Sequence, residues 1–211
     1  MEKLRLGLYG GTFSPPHIGH FRAASSFISQ FRLDRLIIMP ASIPPHKAVS
    51  MDDDPNHRYN MATLAFEPLC RDGHAVVSTL EMEREGRSYT ADTLRELYGM
   101  YGIRCEHGIY MLTGTDMFLT LDRWREPEVI FSLAHIVYVS RMNGDGEACA
   151  EKRTFYEDKF GAHIDRLDIE PCEISSTEIR AMIADGDMRG NGVIDASVMN
   201  YIRKAGLYGA G

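Results

Sequence analysis

Cysteine is sparse in this chain of 211 residues: Cys70, Cys105, Cys149 and Cys172 stand far apart and form no C-x-x-C pair. That spacing supports neither a zinc site nor a disulfide framework, so reduced thiols are expected. Positive charge is also short. Lys and Arg number 23 against 30 Asp and Glu, for a formal net charge of −7. A general duplex-binding surface needs clustered Lys and Arg, so no nucleic-acid partner is expected and any nucleotide must meet a locally basic pocket. Long apolar runs are missing too. Met1-Glu2-Lys3-Leu4-Arg5 enters a strand-like segment directly, and no later run approaches membrane-spanning length. A cytoplasmic protein without a membrane partner is the expectation. Repeats and Pro/Ser-rich linkers are absent. A single domain over 1–211 follows, with a core to about residue 170 and a helical part from about residue 171.

The apolar fraction of 44% is enough for a real core. Leu4 to Tyr9 reads as a short buried strand, and Gly10-Gly11 with Pro15-Pro16 breaks any helix before Gly19. From His20 to Phe31, the apolar Phe21, Ala24, Ile28 and Phe31 fall on one helical face. Arg35 to Met39 is a second strand, followed by a proline-rich loop from Pro40 to Ser50. A helical stretch from Asn56 to Leu69 then leads to a strand around Ala75 to Ser78. An amphipathic helix comes next, with Ala91, Leu94, Tyr98 and Tyr101 on one face and Thr90 as its N-cap. Ile109 to Thr113 and His135 to Ser140 are further strands, separated by a helical region through Trp124 and Val129. Ser175 to Asp185 and Ser197 to Ala205 are helices stopped by Gly186 and Gly206. This alternation predicts an α/β fold, a Rossmann-like doubly wound parallel sheet with a small C-terminal helical appendage. Ligands bind such sheets at the carboxyl ends of the strands, so the loops after Tyr9, Met39, Ser78 and Thr113 should line one cleft.

Gly10-Gly11-Thr12-Phe13-Ser14-Pro15-Pro16-His17-Ile18-Gly19-His20 follows a strand and opens a helix, where unpaired N–H groups and the helix dipole favour an anion. His17 and His20 are three apart, close enough for both rings to face one phosphate. The alternative is a tight turn carrying two ordinary loop histidines. The segment matches neither G-x-G-x-x-G nor G-x-x-x-x-G-K, which weakens the dinucleotide-binding and P-loop readings. Ile174-Ser175-Ser176-Thr177-Glu178-Ile179-Arg180 supplies a second helix start, with Ser175 and Glu178 in capping-box spacing and Arg180 nearby. It reads as a second phosphate-binding end, or else as a well-capped helix with a solvated arginine.

Together, G-G-T-F-x-P-x-H-x-G-H and I-S-S-T-x-I-R resemble the bacterial nicotinate mononucleotide adenylyltransferases of the H-x-G-H nucleotidyltransferase superfamily. The resemblance continues through Pro44-Pro45-His46-Lys47, Ser88-Tyr89-Thr90-Ala91-Asp92-Thr93-Leu94, Gly114-Thr115-Asp116, Trp124, and Tyr201-Ile202 to Leu207-Tyr208. One departure stands out: the family's loop usually has Asp where this chain has Ser14. The resemblance implies transfer of AMP from ATP to nicotinate mononucleotide, giving nicotinate adenine dinucleotide and pyrophosphate, with Mg²⁺ carried on the triphosphate and no protein metal ligands assigned. No general base is needed, because the attacking phosphate oxygen is already anionic. His17 and His20 are then the catalytic donors. Gly10, Gly11, Thr12, Phe13, Lys47, Gly114, Asp116, Ser175, Ser176, Thr177 and Arg180 belong to the ATP side. Asp116 reads equally as a ribose ligand or a helix cap. Lys47, Tyr89, Thr90 and Trp124 belong to the mononucleotide side, with the Thr90 hydroxyl on the nicotinate carboxylate and the Trp124 indole on the ring. Two other readings stay open: a related enzyme acting on phosphopantetheine or a phospho-alcohol, and a nucleotide-sensing module that has lost turnover. Self-association, the role of Arg141 to Gly146, and the choice between acid and amide mononucleotides are left open by the sequence.

Overall fold

In the computed structural model, residues 4–42, 54–101, 108–139, 146–170, 172, 174–186 and 192–210 are described. Lys47 with its Pro44-Pro45-His46 neighbours, Cys105, and Arg141 to Asp145 lie outside them.

Strands β1 (Leu6–Gly11), β2 (Arg35–Pro40), β3 (Ala75–Val77), β4 (Ile109–Gly114), β5 (Ala134–Val139) and β6 (Ile164–Leu167) form one sheet in the order β3-β2-β1-β4-β5-β6. Every pairing is parallel. The order reverses between β1 and β4, so the carboxyl end of β1 faces the crevice that such a reversal creates.

Strand side chains alternate between two cores. Leu6, Leu8, Ile37, Met39, Met111, Ile136 and Tyr138 enter one. Tyr9, Leu36, Ile38, Tyr110, Leu112, Val137 and Val139 enter the other. Both faces are therefore apolar, which is why these strands read as continuous hydrophobic runs. The first core is closed by α4 (Thr90–Tyr101), α5 (Thr115–Phe118), α6 (Pro127–Leu133) and α7 (Gly146–Phe160). The second is closed by α1 (Ile18–Phe31) and α2 (Pro55–Ala65). A third, smaller core joins Met61 of α2 to Ile179 and Ile183 of α8 (Ser176–Ala184), to Val198, Met199 and Ile202 of α9 (Ala196–Ala205), and to Leu207 and Tyr208.

Several elements differ from the sequence expectation. The stretch from Asn56 to Leu69 is two helices, α2 and α3 (Glu67–Arg71), divided at Phe66, with Pro68 in the first turn of the second. Proline is accommodated there because the first helical N–H groups have no intrahelical partner. Thr90 is the first helical residue of α4 rather than its cap, and the Tyr89 carbonyl accepts from Asp92 and Thr93. Trp124 lies just beyond a 3₁₀ turn, Leu121–Arg123. Asp54 caps α2 through the Asn56 N–H. Helix α7 and strand β6 were not anticipated.

Candidate active site

Beyond the Gly10-Gly11 end of β1, the chain runs through Thr12 to Pro16 and enters α1 at His17, which sits extended as the N-cap. His17 Nδ1 accepts the Gly19 N–H at 3.2 Å, and His20 Nδ1 accepts the His17 N–H at 3.2 Å. This is a capping box, a device usually made with Ser or Thr and Glu or Gln, made here from two imidazoles. The ring centroids are 3.9 Å apart. A nitrogen that accepts an N–H must keep its lone pair, so the hydrogen bonds assign the proton of each neutral ring to Nε2. Each ring is thus oriented through Nδ1 by the backbone of the turn it caps.

The neighbouring residues keep the pair in place and leave room before it. Phe13, buried and left-handed at φ 50°, packs edge-on against His20 at 5.3 Å. A Cβ on Gly19 would lie 3.0 Å from both the His17 ring and Cys172 Sγ, so a side chain there would fit only if His17 and Cys172 gave way by a few tenths of an ångström. At Gly10 a Cβ would meet nothing within 4 Å. Packing does not demand that glycine; its effect is open space at the end of β1, where a ligand can approach the backbone closely. A cleft beside the pair is lined by Tyr9, His17, Gly19, His20, Val139, Ile169, Cys172 and Ile174.

The C-terminal part closes over the loop. Ser176 Oγ donates to the Pro15 carbonyl at 2.9 Å. Arg180 donates to the Ser14 carbonyl at 2.6 Å and to Thr177 Oγ1 at 3.1 Å. The Ile18 N–H donates to the Val193 carbonyl at 2.8 Å. Ser14 itself is buried, with its Oγ 3.0 Å from the Tyr208 hydroxyl. At the start of α8, Ser175 Oγ accepts the Glu178 N–H, while the Glu178 carboxylate accepts from the Ser175 N–H and hydroxyl, each at 2.7 Å. The Ser175 hydroxyl and then its N–H hold the Glu178 carboxyl below the usual carboxylate range. From the opposite side the fully buried Arg58 of α2 donates to the Ala41 and Ser42 carbonyls and, at 3.5 Å, to that of Thr12. It ties the loop after β1 to the loop after β2. A buried guanidinium is tolerated when its N–H groups find acceptors in this way.

A second group of side chains gathers where α4 meets α6. Arg125 lies over the Tyr89 ring, 4.5 Å from its centroid, and Arg95 of α4 pairs with Glu126. The residues next to Trp124 are thereby set against the start of α4, where Thr90 stands. Trp124 is half-buried against the first core. The segment that carries it is fastened to α7: Tyr156 donates to the Phe118 carbonyl and to Asp122, and Lys152 meets Asp122 at 2.8 Å. Burial opposes the Asp122 charge, but the bonds from Lys152 and Tyr156 outweigh it and keep this carboxyl below its ordinary value. Burial, then the Asp122 carboxylate, pushes the Tyr156 phenol well up. On the other flank, Glu81 accepts from Thr93 Oγ1, and Arg84 reaches Ser88, Thr93 and Glu96. Burial raises the Glu81 carboxyl.

The expected residues thus fall into two groups. Gly10 to Phe13, His17, His20, Ser175 to Thr177 and Arg180 gather around the loop after β1, while Tyr89, Thr90 and Trp124 gather between α4 and α6. Gly114 ends β4 and is itself the N-cap of α5, with no side chain capping it, so Asp116 does not take the capping role. Lys47 lies outside the described residues. Among the described residues, the cleft beside the histidines is bordered by the end of β5 and the segment after β6, not by the loops after β2 and β3. Ile169 and Cys172 were missed because β6 itself was missed, and Val139 because the end of β5 was not counted among the cleft walls.

The comparisons with known proteins point the same way as this geometry. A family described as cytidylyltransferase-like matches residues 8–182. The chain is 35% identical over 207 residues to the probable nicotinate-nucleotide adenylyltransferase of Thermoanaerobacter sp. (strain X514), covering 98% of this chain and 95% of that one. It is 36% identical over 204 residues to the protein of the same name from Desulfitobacterium hafniense (strain Y51), covering 97% and 95%. The solved nicotinic acid mononucleotide adenylyltransferase of Plasmodium falciparum, complexed with NaAD, superposes with a TM-score of 0.78 at 18% identity, over 99% of this chain and 98% of that one. At that identity the likeness is one of fold. With relatives above 30% identity matched along nearly its whole length, and with paired histidines at the mouth of a doubly wound sheet, the chain belongs to the nicotinate-nucleotide adenylyltransferases of the cytidylyltransferase-like family.

Proposed function

We infer that this protein transfers AMP from ATP to nicotinate mononucleotide, forming nicotinate adenine dinucleotide and releasing pyrophosphate. A phosphate oxygen of the mononucleotide attacks the α-phosphorus, the bond from that phosphorus to the bridging oxygen breaks, and pyrophosphate departs with the electron pair. The nucleophile is anionic at neutral pH, so the protein's task is to hold two polyanions in line and to stabilise the charge that develops.

The observation that carries the reading is the imidazole capping box, whose Nδ1 atoms are engaged with backbone N–H groups while Nε2 carries the proton. On this reading His17 and His20 donate Nε2–H bonds to the triphosphate, and Gly10 to Phe13 let it approach the chain. Lys47, Ser175, Ser176, Thr177 and Arg180 add contacts from the flanks; the structural bonds of Arg180 use two of its five N–H donors. Gly114 and Asp116 serve the ribose. Thr90 and the start of α4 take the nicotinate carboxylate, Trp124 stacks on the ring, and Tyr89 and Lys47 complete the mononucleotide side. Mg²⁺ arrives on the triphosphate. When bound there, the ion neutralises charge on the leaving pyrophosphate.

The test is pyrophosphate release from ATP and Mg²⁺ with the acid and the amide mononucleotides in parallel. Turnover with a large preference for the acid is expected. Turnover only with phosphopantetheine, or with CTP and a phospho-alcohol, would overturn the reading, as would ATP binding without product.

A further inference from the structure

We propose that Tyr208 is a positioning residue for the histidine loop: its hydroxyl, paired with Ser14, fixes the stretch of backbone that delivers His17 and His20. The proposal rests on the adenylyl-transfer reading of the site.

The loop from Thr12 to His17 is shaped from outside. Arg58 takes the Thr12 carbonyl, Arg180 that of Ser14 and Ser176 that of Pro15, and Tyr208 takes the Ser14 side chain. Of these four anchors, three come from the last third of the chain. Ser14 lies three residues before His17, so a shift there is passed directly to the cap that orients both rings.

Tyr208 bears the marks of a residue held for its side chain. Its backbone is left-handed at φ 60°, a region that bulky residues avoid, and it stands between Gly206 at φ 63° and Gly209 at φ 77°. A third glycine would follow this path with less strain, but the position carries a tyrosine, a residue only 6% exposed within the third core. The hydroxyl reaches Ser14 on one side and Met61 Sδ, at 3.9 Å, on the other. Met61 is one turn along α2 from Arg58, so a single helix backs both the Thr12 and the Ser14 anchors.

The experiment compares Tyr208→Phe, Ser14→Ala and the double variant. Each single variant is expected to lower kcat about tenfold, with KM for ATP and for the mononucleotide within about twofold, because misplaced donors cost rate more than binding. The double variant should be no worse than either single one, since both remove the same contact. In parallel, ¹⁵N–¹H imidazole correlations of His17 and His20 should show the Nε2–H tautomer in the wild type and shifted or broadened signals in each variant. Unchanged kcat, losses that multiply in the double variant, or unchanged imidazole signals would overturn the proposal. If Tyr208→Phe fails to fold, Ser14→Ala with its imidazole spectra still decides. A wild type without AMP transfer would instead sink the functional reading, and the spectra would then judge the positioning role alone.

Discussion

At the start of α1, His17 and His20 exchange hydrogen bonds with each other's turn; at the start of α8, Ser175 and Glu178 do the same at the same spacing. The two boxes solve one problem, the orphan N–H groups of a first turn, with different chemistry. Glu178 brings a carboxylate of the protein's own to the N-terminal end of α8, whereas the first turn of α1 contains no acidic residue. On the proposed reading, the positive end of the α1 dipole receives the incoming anion beside the two imidazoles. The side chains around the second box are also turned inward: Ser176 and Arg180 reach the backbone of the first loop. On that reading one box meets the ligand. The other is built largely to hold the first.

The sharpest way to break this contrast is to separate capping from donation at His17. Asparagine is a strong N-cap but has no group in place of Nε2–H, so His17→Asn should keep the helix and lose the chemistry. We expect kcat to fall by about 10²-fold or more, as for loss of one transition-state donor, with Tm nearly unchanged. His17→Ala should show the same kinetic loss together with about 1 kcal/mol of lost stability, seen as a Tm lowered by a few degrees. Turnover near that of the wild type in either variant would end the donor assignment.

How much of this was legible in the sequence follows the physics of each element. Strands β1, β2, β4 and β5 are continuous apolar runs because both of their faces are covered, and they were readable from that alone. Helix α7 was not: only Cys149 and Tyr156 are buried along its fifteen residues, too few to draw an apolar stripe. Strand β6 is four residues long and carries Asp165 and Arg166, leaving little pattern to see. With β6 unseen, the cleft wall after it could not be placed. The Ser175–Glu178 box was readable because its residue types are those of the general rule. The His17–His20 pair was legible as a candidate anion site but not as a cap, since nothing in the sequence states which ring nitrogen turns toward the backbone.

A second prediction concerns that nitrogen. Protonating Nδ1 of either histidine removes the lone pair on which its capping bond depends, so the rate should fall toward acid pH and hold level from about pH 7 to about pH 9. The protonated ring would also sit at the positive end of the α1 dipole, which opposes it. A pH–rate profile that instead drops steeply above about pH 6.5 would mean that an imidazolium is required and that the rings act as charges.

The smallest expected effect lies in the other box. Glu178 is exposed, and its carboxyl is held below the ordinary value by the Ser175 hydroxyl and N–H. A depressed carboxyl contributes its stability above the unfolded value, about 4.3, and loses it as pH falls through the lower, folded value. Hydrogen-exchange protection at the first turn of α8 should therefore weaken only below about pH 4, and Glu178→Gln should remove that pH dependence while keeping a weaker box. Between pH 6 and 8 the same variant should leave kcat within about twofold, because α8 still grips Ser14 and Pro15 through Arg180 and Ser176. A loss comparable to that of His17→Asn would show that the carboxylate acts on the ligand or on the histidines themselves, and the distinction between a ligand-facing box and a supporting one would fall.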